Sequence, residues 1–95
     1  MTRGAPTIHR ATAPAGRLLV LAHGAGAGQH HPFMTAIATR LSARAIDVVT
    51  FDFDYIRERR KVPDRAPVLE QCFGEVVDWT TSREEFAGHN LLIGG

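Results

Sequence analysis

The sequence predicts an α/β fold in which strands and helices alternate around a parallel sheet, in the order strand–helix–strand–helix–strand. Three observations predict it. Leu18-Leu19-Val20-Leu21-Ala22 is a short apolar run closed by glycines, which suits a strand buried on both faces better than a helix. Two longer segments downstream carry apolar residues at helical spacing. Each is followed by another short apolar run, Ile46–Phe53 and then Leu91–Ile93. Alternation at these lengths implies right-handed crossovers and a helix layer on each face of the sheet.

Residues 1–16 form an N-terminal segment in which Thr7–Ala11 can add a short edge strand, and residues 17–95 form the α/β part. After the first buried strand comes the glycine-rich stretch His23–Gly28. Pro32 then sits where proline is tolerated, in the first turn of a helix. Phe33, Ile37 and Leu41 recur every four residues, with Met34, Ala38 and Ala45 beside them. That pattern gives an amphipathic helix of about three to four turns.

The second strand takes its β-branched and aromatic content from Val48, Val49, Phe51 and Phe53. The charged segment Asp54–Arg65 interrupts the apolar pattern, and Asp64 is the predicted N-cap of the second helix, with Pro67 inside its first turn. Along that helix Val68, Leu69, Cys72, Phe73, Val76, Val77 and Trp79 make one apolar stripe. Thr81–Asn90 reads as a polar loop leading into the third strand. Two helices and three strands make a thin version of the architecture, so the sheet is expected to be incomplete and marginally stable by itself.

Composition narrows the class. A chain of 95 residues is one small domain or part of one. With 44% hydrophobic and 22% charged residues it is a globular chain rather than a disordered one. A formal net charge of +1 gives no electrostatic reason to expect a nucleic-acid partner. Cys72 is the single cysteine, which excludes an internal disulfide. No apolar run approaches the roughly 18 residues of a membrane span, and Met1–Gly16 lacks the apolar core of a signal peptide. A soluble cytoplasmic protein with no membrane partner, cofactor or metal is the expectation.

The chemistry points to His23-Gly24-Ala25-Gly26-Ala27-Gly28, directly after the first buried strand. Ligands of open parallel sheets bind beyond the carboxyl ends of the strands, where the chain order reverses. Glycines there let backbone N–H groups turn toward a ligand without Cβ obstruction. In acyl transfer such groups stabilise the negative oxygen of the tetrahedral intermediate. The structural alternative is a glycine-rich turn that binds nothing.

Leu21–Gly28 followed by His30-His31-Pro32-Phe33-Met34 resembles the α/β-hydrolase-like family of bacterial dienelactone-hydrolase-related proteins, testis-expressed hydrolase-like proteins and the NSL-complex hydrolase-like subunit. The similarity continues through Phe51-Asp52-Phe53-Asp54-Tyr55 and Pro63-Asp64-Arg65-Ala66-Pro67. Leu91-Leu92-Ile93-Gly94-Gly95 is similar to the family's strand leading into a Gly-x-Ser-x-Gly elbow. The resemblance implies a serine hydrolase acting on an ester-type small-molecule substrate. It implies backbone donors at Ala25 and Gly26 as oxyanion-hole candidates, with His23, Gly24 and Gly28 shaping the loop.

The chain departs from the family's pattern at the nucleophile. Gly95 would be the first elbow glycine, and Ser42 and Ser82, the two serines present, lie on no Gly-x-Ser-x-Gly turn. The triad's acid and histidine follow the serine in this family, so the chain is expected to be the N-terminal part of a hydrolase domain, catalytically incomplete as given. His9, His23, His30, His31 and His89 are not substitutes, because none lies downstream of a nucleophile.

Several other features read as structural. His30 and His31 are adjacent, with no cysteine or acidic cluster beside them, so loop packing is favoured over a metal site. Asp52 and Asp54 alternate with Phe51 and Phe53, which suits carboxylates in solvent at a strand end. Arg57, Arg59, Arg60, Lys61 and Arg65, tempered by Glu58 and Asp64, suit a solvated loop. Cys72 and Trp79 fall on the apolar stripe and read as core.

Two other functional classes remain. One is a nucleotide-binding module, with Asp52 on a ribose; Gln29 breaks the required Gly-x-Gly-x-x-Gly spacing. The other is a non-catalytic interaction protein that uses an exposed strand edge, with self-association as its simplest form.

Overall fold

The computed structural model describes residues 6–13, 15–24 and 28–94. In chain order the elements are β1 (Thr7–His9), β2 (Arg17–Leu21), α1 (Pro32–Ser42), β3 (Ile46–Thr50), α2 (Asp54–Arg57), α3 (Ala66–Thr81) and β4 (Asn90–Gly94), with a 3₁₀ turn at Glu84–Phe86. The strand order is β1-β3-β2-β4. β2 is parallel to β3 on one side and to β4 on the other, with Val20 opposite both Val49 and Ile93. β1 runs antiparallel along β3, Thr7 opposite Thr50. The sheet is therefore mixed, a parallel core with one antiparallel edge, because an added edge strand needs no helical crossover.

The two long helices lie on opposite faces. Side chains alternate along a strand and in-register neighbours share a face. Leu18, Val20 and Val49 therefore point one way, and they form the main core with Phe51, Phe53, Tyr55, Phe86 and the α3 residues Cys72 and Val76. α1 lies over β3 and β1 on the other face, where Val48 is fully buried and α1 contributes Met34 and Ala38. The buried side of α1 is thus Met34 and Ala38. Of the expected stripe, Phe33 is 66% exposed, while Ile37 and Leu41 are half-buried. The small Ala38 side chain, 0% exposed, lets the helix approach the sheet closely at that point.

Element boundaries differ from the predicted ones in three places. β3 ends at Thr50, and Phe51 and Phe53 continue as buried loop residues whose rings meet edge to face at 5.0 Å. The charged segment opens with the short helix α2, in which Asp54 pairs with Arg57. Asp64 does not cap α3. Arg60 holds both its oxygens, at 2.6 and 3.1 Å, and the cap position falls on Arg65, whose side chain makes no cap hydrogen bond. A guanidinium fork engages a carboxylate more strongly than an N-terminal N–H does, which takes Asp64 out of the capping role. Within the basic run Arg57 pairs with Asp54, and Arg60 pairs with Glu58 and Asp64.

Two contacts fix where β4 enters the sheet. Gly16 has φ +73°, a left-handed conformation that favours glycine. Its carbonyl accepts from the Asn90 N–H at 2.7 Å. The buried carboxylate of Asp47 accepts from the Ala11 N–H at 2.7 Å and bonds to His89 Nε2 at 3.2 Å. These contacts gather the N-terminal segment, β3 and the start of β4 at the amino end of the sheet, and leave the carboxyl end to the glycine-rich loop.

Candidate functional site

The loops after β2 and β3 meet at the carboxyl end of the sheet. Ala25 and Gly26, the oxyanion-hole candidates, lie outside the described residues, as does Gly95. The two flanks of the loop are described, and each is pinned by a different contact.

His23 holds the first flank. It is 5% exposed. Its Nε2 accepts from the Phe53 N–H at 3.1 Å, and its Nδ1 lies 2.7 Å from the Gly24 carbonyl. A backbone N–H can only donate, so Nε2 carries no proton and Nδ1–H donates to Gly24. Both ring nitrogens are thereby used, and the ring meets Phe53 and Tyr55 edge-on at 5.1 and 5.9 Å. His23 ties the start of the glycine loop to the segment after β3 and is not free to act as a base. An added Cβ at Gly24 would meet nothing within 4 Å.

Asp52 holds the second flank. Its Oδ1 accepts from the Gln29 N–H at 2.7 Å and its Oδ2 from Gln29 Nε2 at 3.3 Å. Gln29 Oε1 accepts from the Thr50 hydroxyl at 3.1 Å, and Thr50 Oγ1 lies 3.2 Å from His9 Nε2. The hydroxyl has one proton and gives it to Gln29, so His9 Nε2–H must be the donor to Thr50. Every donor in this chain points toward the Asp52 carboxylate. Gly28 lies so close to it that a Cβ there would sit 2.7 Å from Asp52 Oδ1 and 3.1 Å from Ile56 Cγ2.

Asp52 therefore does not stand free in solvent, as alternation along a strand suggested. It is half-buried and engaged with Gln29. Each of its oxygens accepts one hydrogen bond from Gln29. Sequence reasoning missed Gln29 and Thr50 as site residues. The one signal in the sequence is a polar residue, Gln29, at the end of a glycine run.

β4 ends beside the same loop. The Ala22 N–H donates to the Gly94 carbonyl at 2.9 Å, which puts the carboxyl end of β4 next to the residue preceding His23. An apolar hollow of about 450 Å³ lies beside the loop, between the end of β2 and the first turns of α1, and Leu21, Ala22, Phe33, Met34 and Ile37 line it with Gly24 and His31. His31 caps α1, its Nδ1 accepting from the Phe33 N–H at 3.1 Å. Among the described residues no group of three or more His, Cys, Asp or Glu side chains could hold a metal ion, and no helix is long and apolar enough to cross a membrane.

The serines lie elsewhere. Ser42 Oγ donates to the Thr39 carbonyl and Ser82 Oγ to the Trp79 carbonyl, each at 2.9 Å. A hydroxyl that closes the last turn of its own helix is not activated by a base.

His9 gives the network a pH dependence. Burial, and secondarily the charge of His30, lower its pKa below the ordinary 6.5. The unfolded chain then takes up a proton as the pH falls below 6.5 while the folded chain resists it, so stability falls on acidification through that window. Urea-unfolding midpoints measured from about pH 8 down to about pH 5 should therefore decline, and His9→Gln should flatten part of the decline. Equal slopes in the two proteins would place the acid sensitivity in other groups.

The comparisons with known proteins bear on the family and the fold. The family model described as "alpha/beta hydrolase domain" matches residues 15–95. Among solved structures, an alpha-beta serine hydrolase homologue from Coxiella burnetii superposes with a TM-score of 0.78 at 15% identity, over 94% of this chain and 44% of that one. At that identity the likeness shows the fold, and the chain spans less than half the length of that relative. No curated protein matches the chain.

Proposed function

The chain belongs to the alpha/beta hydrolase domain family, and on that premise we propose that residues 23–28 supply one half of the oxyanion hole of a serine hydrolase. The observation that carries the proposal is the meeting of the two strand ends. The glycine loop leaves β2 beside the end of β4, joined to it through the Ala22–Gly94 hydrogen bond of 2.9 Å. In this fold the nucleophile elbow follows the strand equivalent to β4, and the oxyanion hole takes one N–H from just after the nucleophile and one from the glycine loop. Ala25 and Gly26 are the donors in this reading, and His23, Gly24 and Gly28 shape the loop. The reaction is attack of a serine hydroxyl on an ester carbonyl, with the developing negative oxygen received by those N–H groups. The hollow lined by Leu21, Phe33 and Met34 suits the apolar side of such an ester.

Within the family, the His30-His31-Pro32-Phe33-Met34 and Phe51–Tyr55 stretches support kinship with the dienelactone-hydrolase-related group. A cytoplasmic location goes with that reading. In this reading residues 23–28 supply the oxyanion side of the site, and the nucleophile is the serine of a Gly-x-Ser-x-Gly elbow. The interaction reading keeps one specific observation in its favour, the exposed apolar residues of β4.

The 95-residue chain is accordingly expected to show no turnover of short p-nitrophenyl esters and no labelling by a fluorophosphonate probe. Loss of triad members leaves only the residual rate contributed by the oxyanion hole and binding. Probe attachment at Ser42 or Ser82 with matching ester turnover would overturn the assignment.

A further inference from the structure

Two independent observations converge on Asp52. The first is the one-way run of donors, His9 Nε2–H to Thr50, Thr50 O–H to Gln29 and Gln29 Nε2–H to Asp52, which ends on a group that must accept. The second is steric: the backbone of Gly28 is seated against the same carboxylate, with no room for a Cβ between them. The Gln29 N–H, next in the chain, points directly into Asp52 Oδ1 at 2.7 Å.

We propose that Asp52 is a positioning residue for the glycine-rich loop, its carboxylate fixing Gly28 and Gln29, the flank on which the loop closes. An ionised carboxylate suits this place because it offers acceptors only. It takes the backbone N–H on one oxygen and the side-chain amide on the other. Asparagine has nearly the same shape but must turn an NH₂ toward one of those donors, which leaves that donor without its acceptor. Hydrogen bonds to charged groups are also stronger than neutral ones, so one side chain after β3 can hold a backbone segment that has few side chains of its own to pack. His23 fixes where the loop starts, and Asp52 fixes where it returns. The functional value of the clamp rests on the oxyanion reading; the clamp itself does not.

The test is residue-resolved amide hydrogen exchange, read by mass spectrometry, on the 95-residue chain and on Asp52→Asn, Gly28→Ala and the double variant. The wild-type Gln29 N–H is expected to be protected. Asp52→Asn should speed its exchange about 10- to 100-fold, as expected for losing a hydrogen bond to a charged group, while the Val20 and Val49 amides keep their rates. Gly28→Ala pushes the loop off the carboxylate from the other side and should give a similar local rise. The double variant should exchange little faster than either single one, because both break the same contact. Asp54→Asn, on the neighbouring carboxylate that pairs with Arg57, should leave Gln29 unchanged. A Gln29 N–H that exchanges freely in the wild type overturns the proposal. So does an Asp52→Asn effect spread evenly over β2 and β3, or additive effects of the two substitutions. None of these readouts needs turnover, so a protected Gln29 beside an unchanged kcat for Gly26→Val in a polypeptide that carries the elbow would remove the oxyanion reading and keep the clamp.

Discussion

Gly26→Val is expected to lower kcat about 100- to 1,000-fold, the effect of deleting one oxyanion donor, in a polypeptide that joins residues 1–95 to a Gly-x-Ser-x-Gly elbow with its acid and histidine. The loop is held at two flanks. His23 is tied to the Phe53 N–H and the Gly24 carbonyl, and Gln29 is tied to Asp52. A β-branched residue between those flanks narrows the backbone choices, and the anchored ends cannot shift to relieve it. The donors then miss the oxygen that becomes negative in the transition state. The loss corresponds to roughly 3–4 kcal/mol of transition-state stabilisation, and KM should change far less than kcat. A variant with unchanged circular dichroism and urea midpoint that also keeps the parent kcat would remove this loop from the oxyanion hole.

The loop could be found from sequence because glycine after a buried apolar strand is a local signal. Its supports could not, because they are tertiary. Asp52 and Gln29 are 23 positions apart, and nothing in either neighbourhood announces the pair. Alternation of Phe51 and Phe53 with Asp52 and Asp54 suggested two solvated carboxylates. The alternation persists in burial, with Phe51 and Phe53 in the core, but the side it leaves to the carboxylates carries Gln29 and Arg57 as partners. α1 shows a similar limit. Phe33-Ile37-Leu41 and Met34-Ala38 are neighbouring stripes on one cylinder, and composition favours the bulkier one. The stripe that faces the sheet is set by how closely the helix can approach, and Ala38 permits the closer packing. Local pattern predicts Asp64 as a cap, whereas Arg60 competes for it from one turn away. In each case a local rule gave way to a partner that the rule does not see. The buried strands and the α3 stripe were legible because burial of that much apolar surface leaves little choice.

Self-association of the 95-residue chain is the second large effect expected, and β4 is its cause. The strand pairs with β2 on one side and has no neighbour on the other among the described residues. Its side chains are uncovered on both faces: Leu91 is 40%, Leu92 51% and Ile93 63% exposed. Leu91 and Ile93 share the face of Val20, and Leu92 shares the opposite face with Leu19. α1 lies over β3 and β1, at the far side of the sheet from β4, and the exposures show that neither face of the edge is shielded. An apolar strand with a free row of N–H and C=O groups is a template for another chain. Two copies joined edge to edge would satisfy that row and remove the leucines and isoleucine from water, at about 25 cal/mol per Å² of apolar surface buried. At micromolar concentration the chain should therefore elute at about twice its 10.4 kDa or more. Lysine at Leu92 and Ile93 places charge on both faces of the edge, the device natural edge strands use against pairing. The double variant Leu92→Lys/Ile93→Lys should move the elution to the monomer position, with the circular dichroism of α1 and α3 retained. A wild-type chain that runs as a 10.4 kDa monomer and unfolds in one sharp urea transition would show that the uncovered edge is tolerated, and that these strands and helices are stable without a further strand beside β4.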